Sequence, residues 1–195
     1  MSGTVDNDSQ GLLKINLGSG HWKLEGWVNV DIDPDSEPDV LADLSGPLPF
    51  EDGVAGFMHT EDFIDQLDLP GARRFLQECH RILAPGGVIR ILTPDVEQLT
   101  RMYLESPGEL LALWRENVPV PLELETAAET LNLGMRFAGH TFLYDETTLS
   151  RLLQECGFEP RRCTFNSSEA PELCGIDLRQ PGEAISLYFE GRKPA

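Results

Sequence analysis

An apolar run that passes straight into a glycine turn, Ile15-Asn16-Leu17-Gly18-Ser19-Gly20, constrains this chain more than any other feature. Two glycines one residue apart allow a sharp reversal at a strand end and let a ligand approach the backbone. Asn16 interrupts the apolar run, and a polar side chain in a strand buried on both faces has to be hydrogen-bonded. The next extended run repeats the pattern, with Trp27, Asn29 and Asp31 alternating with Val28, Val30 and Ile32. Asp31, 13 residues past Gly18, stands where a carboxylate accepts from both hydroxyls of a ribose. A dinucleotide fingerprint needs a third glycine at position 23, which is Lys23, and the short stretch from His21 to Gly26 leaves little room for a phosphate-binding helix. The expected ligand has a ribose and need not have a pyrophosphate.

Around this turn the chain alternates strand and helix, as a largely parallel sheet requires. Leu13 to Leu17, Trp27 to Ile32, Asp39 to Ala42, Val54 to His59 and Val88 to Thr93 read as strands bounded by Gly, Pro or Asp. Ala72, Phe75, Leu76, Cys79, Ile82 and Leu83 follow helical spacing up to Pro85-Gly86-Gly87, and a second helix reads from Thr147 to Cys156 with Asp145 as N-cap and Gly157 beyond its end. Arg161 to Asn166 and Ala184 to Glu190 read as an antiparallel pair on a sheet edge. Between them these elements account for one domain, residues 1–195. A helical insertion over residues 97–140, with pieces at Leu99 to Tyr103, Leu110 to Trp114 and Leu122 to Leu131 and a Ser106-Pro107 start, follows the fifth strand. Ligands of open α/β sheets bind at the carboxyl ends of strands, so the insertion is expected as a lid over that mouth.

The charge excludes whole classes of partner. Thirty-three acidic residues against 15 basic ones give a formal charge of -18, a field that repels nucleic acid and anionic membranes. The opening MSGTVDNDSQ has neither a basic nor an apolar leader region, so a cytoplasmic location is expected. Cys79, Cys156, Cys163 and Cys174 form no Cys-x-x-Cys pair and are expected as buried reduced thiols. No metal is expected, because His59, Glu61, Asp62, Asp65 and His140 lack a recognised ligand spacing. From Asp31 through Asp68 there are twelve acidic residues and no Lys or Arg. Asp43 stands apart among them, at a strand end where an adenine amino group needs an acceptor.

With these pieces in order, "INLGSGHWKLEGWVNVDIDP", "DVLADLSGPLPFEDG", "FLQECHRILAPGGVIRILTPD" and "GHTFLYDETTLSRLLQECGFEP", the chain resembles the class I S-adenosylmethionine-dependent methyltransferases, particularly the small bacterial methyltransferase-11-like group. The resemblance spans about residues 13 to 160. It implies an α/β, Rossmann-like seven-stranded mixed sheet of order 3-2-1-4-5-7-6, with strand 7 antiparallel and helices on both faces. It also implies S-adenosylmethionine as cofactor, with Gly18, Ser19 and Gly20 under its methionyl part, Asp31 and the following Ile32 at the ribose, and Asp43 with Leu44 at the adenine. His59, Thr60 and Glu61, at the end of strand four, border the methyl group. Two positions depart from the family: Asn16 stands where an acidic residue usually opens the glycine motif, and Phe63-Ile64-Asp65 replaces a common Leu-Glu-His. Asn16 suits ammonium recognition through its amide oxygen; the triplet bears on the acceptor side.

His21 follows the glycine turn and is expected at the cofactor, whereas His80, inside an amphipathic helix, is expected to pack. His140, His59 and Glu61 are the candidates for proton transfer, a histidine near neutrality being suited to deprotonating an acceptor. The expected activity is methyl transfer to an oxygen or nitrogen of a small-molecule acceptor. The alternative is a catalytically silent, cofactor-binding regulatory or assembly subunit. For either reading the oligomeric state is open, a homodimer included.

Overall fold

The structure is a computed structural model and describes residues 11–118 and 123–195. The opening segment Met1 to Gln10 and Leu122, which carried expectations above, lie outside the described residues. Seven strands, β1 (Leu13–Leu17), β2 (Val28–Asp31), β3 (Val40–Leu41), β4 (Ala55–Glu61), β5 (Leu83–Pro94), β6 (Glu159–Arg162) and β7 (Ser186–Arg192), form one sheet in the order β3-β2-β1-β4-β5-β7-β6. Strand β7 runs antiparallel to both neighbours and the other pairs are parallel. This is the expected topology. Strand β5 begins earlier than expected because Leu83 already pairs with Ala55. Strand β6 stops at Arg162, short of Asn166, because the carbonyls of Thr164 and Ser167 turn inward to Arg90.

One face of the sheet is apolar. Ile15, Leu17, Met58, Ile89, Ile91 and Phe189 lie in a core closed by α1 (Leu69–Ile82) and α5 (Glu146–Glu155). Helix α1 starts where Asp68 accepts from the Gly71 amide, with Pro70 in its first turn, and its periodic residues Ala72, Phe75, Leu76, Cys79 and Ile82 are the buried ones. Helix α5 starts at the Asp145 cap, as its sequence indicates, and Gly157 beyond it has φ +90°. His80 packs edge-on against Phe158.

The opposite face departs from expectation. Its residues form a polar row in register across six strands: Asn29, Asn16, His59, Arg90, Glu190 and Arg161 are successive cross-strand neighbours. Helices were expected on both faces; among the described residues the cover here is loop, with Leu24 and Trp27 from the β1–β2 connection and Ala170, Leu173 and Ile176 from the β6–β7 connection packed on Phe57 and Val88. The 3-10 turn Pro171–Leu173 is the helical piece of that cover. The reason is that the row itself satisfies loop backbone. Asn16 donates to the Trp22 carbonyl, and Asn29 accepts from the Leu24 amide and donates to the Leu24 carbonyl, so the connection needs no helix to place its peptide groups.

Helices α2 (Val96–Glu105), α3 (Pro107–Asn117) and α4 (Ala127–Gly134) follow β5 and share a separate core of Leu99, Leu110, Trp114 and Leu124 with Ile185. Ser106 is the N-cap position of α3 and Pro107 its first residue, but the Ser106 hydroxyl makes no capping bond. Helix α4 has a capping box, Thr126 with Glu129. Cys79 and Cys156 are buried, as expected; Cys163 is half-buried and Cys174, in the β6–β7 connection, is exposed. No helix among the described residues is long and apolar enough to cross a membrane.

Candidate functional site

The order of strands reverses between β1 and β4, and a ligand crevice is expected outside their carboxyl ends. A cavity of about 750 Å³ opens there, lined by Asn16, Gly18, Ser19, Gly20, His21, Trp22, Lys23 and Leu24 on one side and by His59, Glu61, Asp62, Ile176, Leu178 and Arg179 on the other. Gly18 has φ +70° and Gly20 φ +48°, conformations in which L side chains are strained. Gly18 lies against Phe63: a Cβ there would be 3.3 Å from the Phe63 Cβ. The amides of Gly18 and Ser19 both donate to the Val30 carbonyl, which ties the turn to β2.

Asp31 completes the turn. Its Oδ2 accepts from the Gly20 amide at 2.7 Å and its Oδ1 from the Asp33 amide at 2.9 Å. Ile32 beside it is 63% exposed. Asp43 is exposed and accepts from the Ser45 amide; the Ser45 side chain, and then that amide, lower its carboxyl pKa. Leu44 and Thr60 are buried, Leu44 in the apolar core; of the residues expected at the cofactor, Asp31, Ile32, Asp43, Leu44 and Thr60 do not line the cavity.

His59 and Asn16 lie at the base of the cavity, and their hydrogen-bond directions follow from the groups around them. The Leu24 amide can only donate, so the atom of Asn29 that receives it at 2.8 Å is Oδ1. The Trp22 carbonyl can only accept, so the Asn16 atom 3.1 Å from it is Nδ2, which also donates to Asn29 Oδ1. Asn16 Oδ1 therefore faces His59, and His59 Nδ1 donates to it at 3.1 Å. His59 Nε2 is left with a lone pair and has no hydrogen-bond partner; Glu61 Oε2 lies 3.8 Å and Asp177 Oδ1 4.0 Å from it. Burial lowers the His59 pKa to about 4, with Asp177 opposing and Arg90 reinforcing the shift. Burial likewise raises Glu61 to about 7, although its oxygens accept from the Leu178 and Arg179 amides.

Those two amides belong to a strap, residues 163–185, that no local signal marked as functional. Arg90 fastens it. The guanidinium, fully buried, donates twice to Asp177 at 2.6 and 2.5 Å, to Glu190 at 3.0 Å, and to the Ser167 and Thr164 carbonyls, so all five N–H donors are used. Arg161 reaches the other oxygen of Glu190 at 2.7 Å. Arg90 interrupts Val88-Ile89-Arg90-Ile91-Leu92 as Asn16 interrupts its own strand, and that shared anomaly was the signal to follow.

A second cavity, about 220 Å³, lies under the inserted helices, with walls from Leu99, Leu113, Trp114, Val118, Phe137 and Ile185 and a rim that includes Asp95, His140, Arg179 and Glu183. Arg179 lines both cavities; its side chain is held by Asp62 at 2.6 Å and by Ser186 at 2.8 Å. His140 joins the insertion to the sheet: Nδ1 donates to the Gly134 carbonyl at 2.9 Å, and Nε2 lies 3.3 Å from Oδ2 of the buried Asp65. Burial raises the Asp65 pKa, and the Asp62 charge adds to it. The Phe63-Ile64-Asp65 triplet is thus occupied structurally: Phe63 packs on Gly18 and on Phe75, Ile64 is in the core, and Asp65 holds Thr93 and faces His140.

No protein-family model and no curated protein matches the chain. Solved structures do. An S-adenosylmethionine-dependent methyltransferase from Methanosarcina mazei is 16% identical over 94% of this chain and 93% of its own, with a TM-score of 0.56. One from Archaeoglobus fulgidus is 14% identical over 94% and 86%, TM-score 0.57. A third, from Thermotoga maritima and described as a possible histamine N-methyltransferase, is 20% identical over 93% and 81%, TM-score 0.54. The chain has the Rossmann-like fold of the class I S-adenosylmethionine-dependent methyltransferases.

Proposed function

We propose that the chain binds S-adenosylmethionine in the larger cavity and transfers its methyl group to an oxygen or nitrogen of a small-molecule acceptor held in the smaller one. The observation that carries this reading is that Arg179 lines both cavities, one built on the glycine turn and the other apolar beneath the inserted helices. The turn fits the cofactor: Gly18, Ser19 and Gly20 line the larger cavity, and the left-handed Gly18 and Gly20 let a ligand approach the backbone. Beyond the residues that line the cavity, Asp31 keeps lone pairs past its two amide contacts for ribose hydroxyls, Ile32 is an exposed apolar side chain next to it, and Asp43 is an exposed acceptor for an amino group. When bound, the sulfonium supplies an electrophilic methyl carbon. The chain's part is to orient the acceptor and exclude water, for which the Trp114, Phe137, Leu99 and Ile185 walls are suited. The acidic field of the molecule favours neutral or cationic small acceptors over nucleic acid.

The test is ligand-induced stabilisation. At 100 times its Kd a ligand stabilises the native state by about 2.7 kcal/mol, so S-adenosylmethionine and S-adenosylhomocysteine are expected to raise Tm by several degrees, and NAD and NADP to leave it unchanged. Mass spectrometry of ligand released from the purified protein is the independent check. Stabilisation by a dinucleotide alone would overturn the assignment.

His140 acts in this reading as a brace between α4 and Asp65, because both ring nitrogens face protein groups. His140→Ala is expected to lower stability by about 1–3 kcal/mol, the cost of leaving a buried polar partner unpaired. Turnover on a true acceptor should stay within about tenfold of wild type, against the 10²- to 10⁴-fold loss that removal of a general base brings. A larger, pH-dependent loss of turnover would restore His140 to proton transfer.

A further inference from the structure

Two arginines of the protein are used in opposite ways. Arg90 commits all five of its N–H donors to protein acceptors, whereas the Arg179 side chain commits two, Nε to Ser186 Oγ at 2.8 Å and Nη1 to Asp62 at 2.6 Å. Its other three N–H groups have no partner among the described residues. The group is nonetheless fixed. The Arg179 amide donates to Glu61 at 2.7 Å and its carbonyl accepts from the Tyr188 hydroxyl, so backbone and side chain are both pinned. Arg179 lines both cavities, and a pre-positioned guanidinium with free donors matches the planar fork of a carboxylate.

The smaller cavity narrows the choice further. Its walls, Leu99, Leu113, Trp114, Phe137 and Ile185, suit one ring or a short alkyl chain. None of its other ionisable groups is placed as a base: both nitrogens of His140 face protein groups, Asp95 caps α2, and Glu183 is exposed. An acceptor that must lose a proton is poorly served there, and one already ionised at neutral pH needs no base. The acidic field of the molecule bears on approach from afar and is screened beyond about 8 Å at physiological salt.

We propose that the acceptor is a small carboxylic acid with an apolar body, bound as its carboxylate by Arg179 and methylated on a carboxylate oxygen. This rests on the cofactor reading above and names the acceptor class within it. A lone pair of the carboxylate oxygen forms the new C–O bond to the methyl carbon, and the C–S bond breaks with its electron pair going to sulfur. Carboxylate and sulfonium become a neutral ester and a neutral thioether, and no proton moves. Apolar walls favour a step that removes charge.

Binding measurements separate this inference from the reading beneath it. With S-adenosylhomocysteine at saturation, titration calorimetry would compare straight-chain acids from butanoate to decanoate and phenylalkanoates from phenylacetate to phenylbutanoate with their primary amides and the matching primary amines. Charge-assisted hydrogen bonds correspond to a preference of about 10- to 100-fold for the best-binding acid over its amide and amine. In Arg179→Leu the preference is expected to fall to about threefold or less, with affinity for the amide unchanged, which also reports an intact cavity. Should that variant not fold, Arg179→Lys takes its place: it keeps the charge and loses the fork, and the preference is expected to fall about three- to tenfold. With S-adenosylmethionine, the best-binding acid is expected to yield its methyl ester by mass spectrometry. No acid binding, a preference for amide or amine, an undiminished preference or equal weakening of acid and amide in a folded variant, or methylation of an amine in place of the acid would each overturn the inference alone, as would the absence of any ester. Failure of S-adenosylhomocysteine to bind the wild-type protein would overturn the cofactor reading, and the inference with it.

Discussion

Arg90→Met is expected to destabilise the protein by about 3–5 kcal/mol, the cost of removing one member of a buried ion pair. Arg90 is 0% exposed, and the two carboxylates it neutralises, on Asp177 and Glu190, are also buried. Methionine fills much of the volume but leaves Asp177 with only the Asn166 amide as donor and Glu190 with Arg161 alone. The carbonyls of Thr164 and Ser167 lose their bonds as well, so the strap that walls both cavities is released at its fastening. For a domain of this size each kcal/mol corresponds to about 2–4 °C in Tm, and thermal or urea unfolding reads the effect directly. Arg90→Lys should fall between, because an ammonium keeps the charge and loses the fork that grips Asp177 through two nitrogens. A loss below about 1 kcal/mol in Arg90→Met would mean that the strap is held by its apolar contacts, Leu173 above all.

Gly18→Val should have the second large effect, about 2–5 kcal/mol in stability together with loss of the ligand-induced Tm shift. Two costs combine. A left-handed backbone costs an L residue roughly 1–2 kcal/mol, and more when it is β-branched; overpacking adds about 1–3 kcal/mol. The second cost arises because Phe63, whose Cβ would lie 3.3 Å from the new Cβ, already packs edge-on against Phe75. Gly20→Ala is the control. Its Cβ meets nothing within 4 Å, so only the backbone penalty applies, and a clearly smaller loss of stability is expected. Equal losses in the two variants would show that Phe63 yields and that backbone strain alone governs the turn.

The features legible in the sequence are those whose cause lies within one strand, turn or helix. The Gly18-Ser19-Gly20 turn, Asp31 at the end of β2, the buried stripe of α1 and the Asp145 cap each declare themselves over a few residues, because periodicity, left-handed glycine and side-chain capping are local physics. Strand ends were less legible: β6 is cut short at Arg162 by carbonyls that turn toward a residue far away in the chain. The resemblance to methyltransferases supplied the strand order, which local signals do not contain.

Tertiary structure alone decided the rest. Arg90 meets Asp177 across 87 residues, and His140 meets Asp65 across the whole insertion; neither pairing leaves a trace in spacing, because a folded contact between distant segments depends on where the sheet puts them. Asn16 announced itself as a polar residue that needed a partner, but which of its atoms was free depended on Leu24, Asn29 and Trp22. The sequence by itself determined the glycine turn at the end of β1 and the acidic residue that ends β2 beside it. Only the packing of the strap onto the polar face determined that Glu61 holds backbone amides, that Arg179 lines two cavities, and that Nε2 of His59, rather than the amide oxygen of Asn16, is left without a partner.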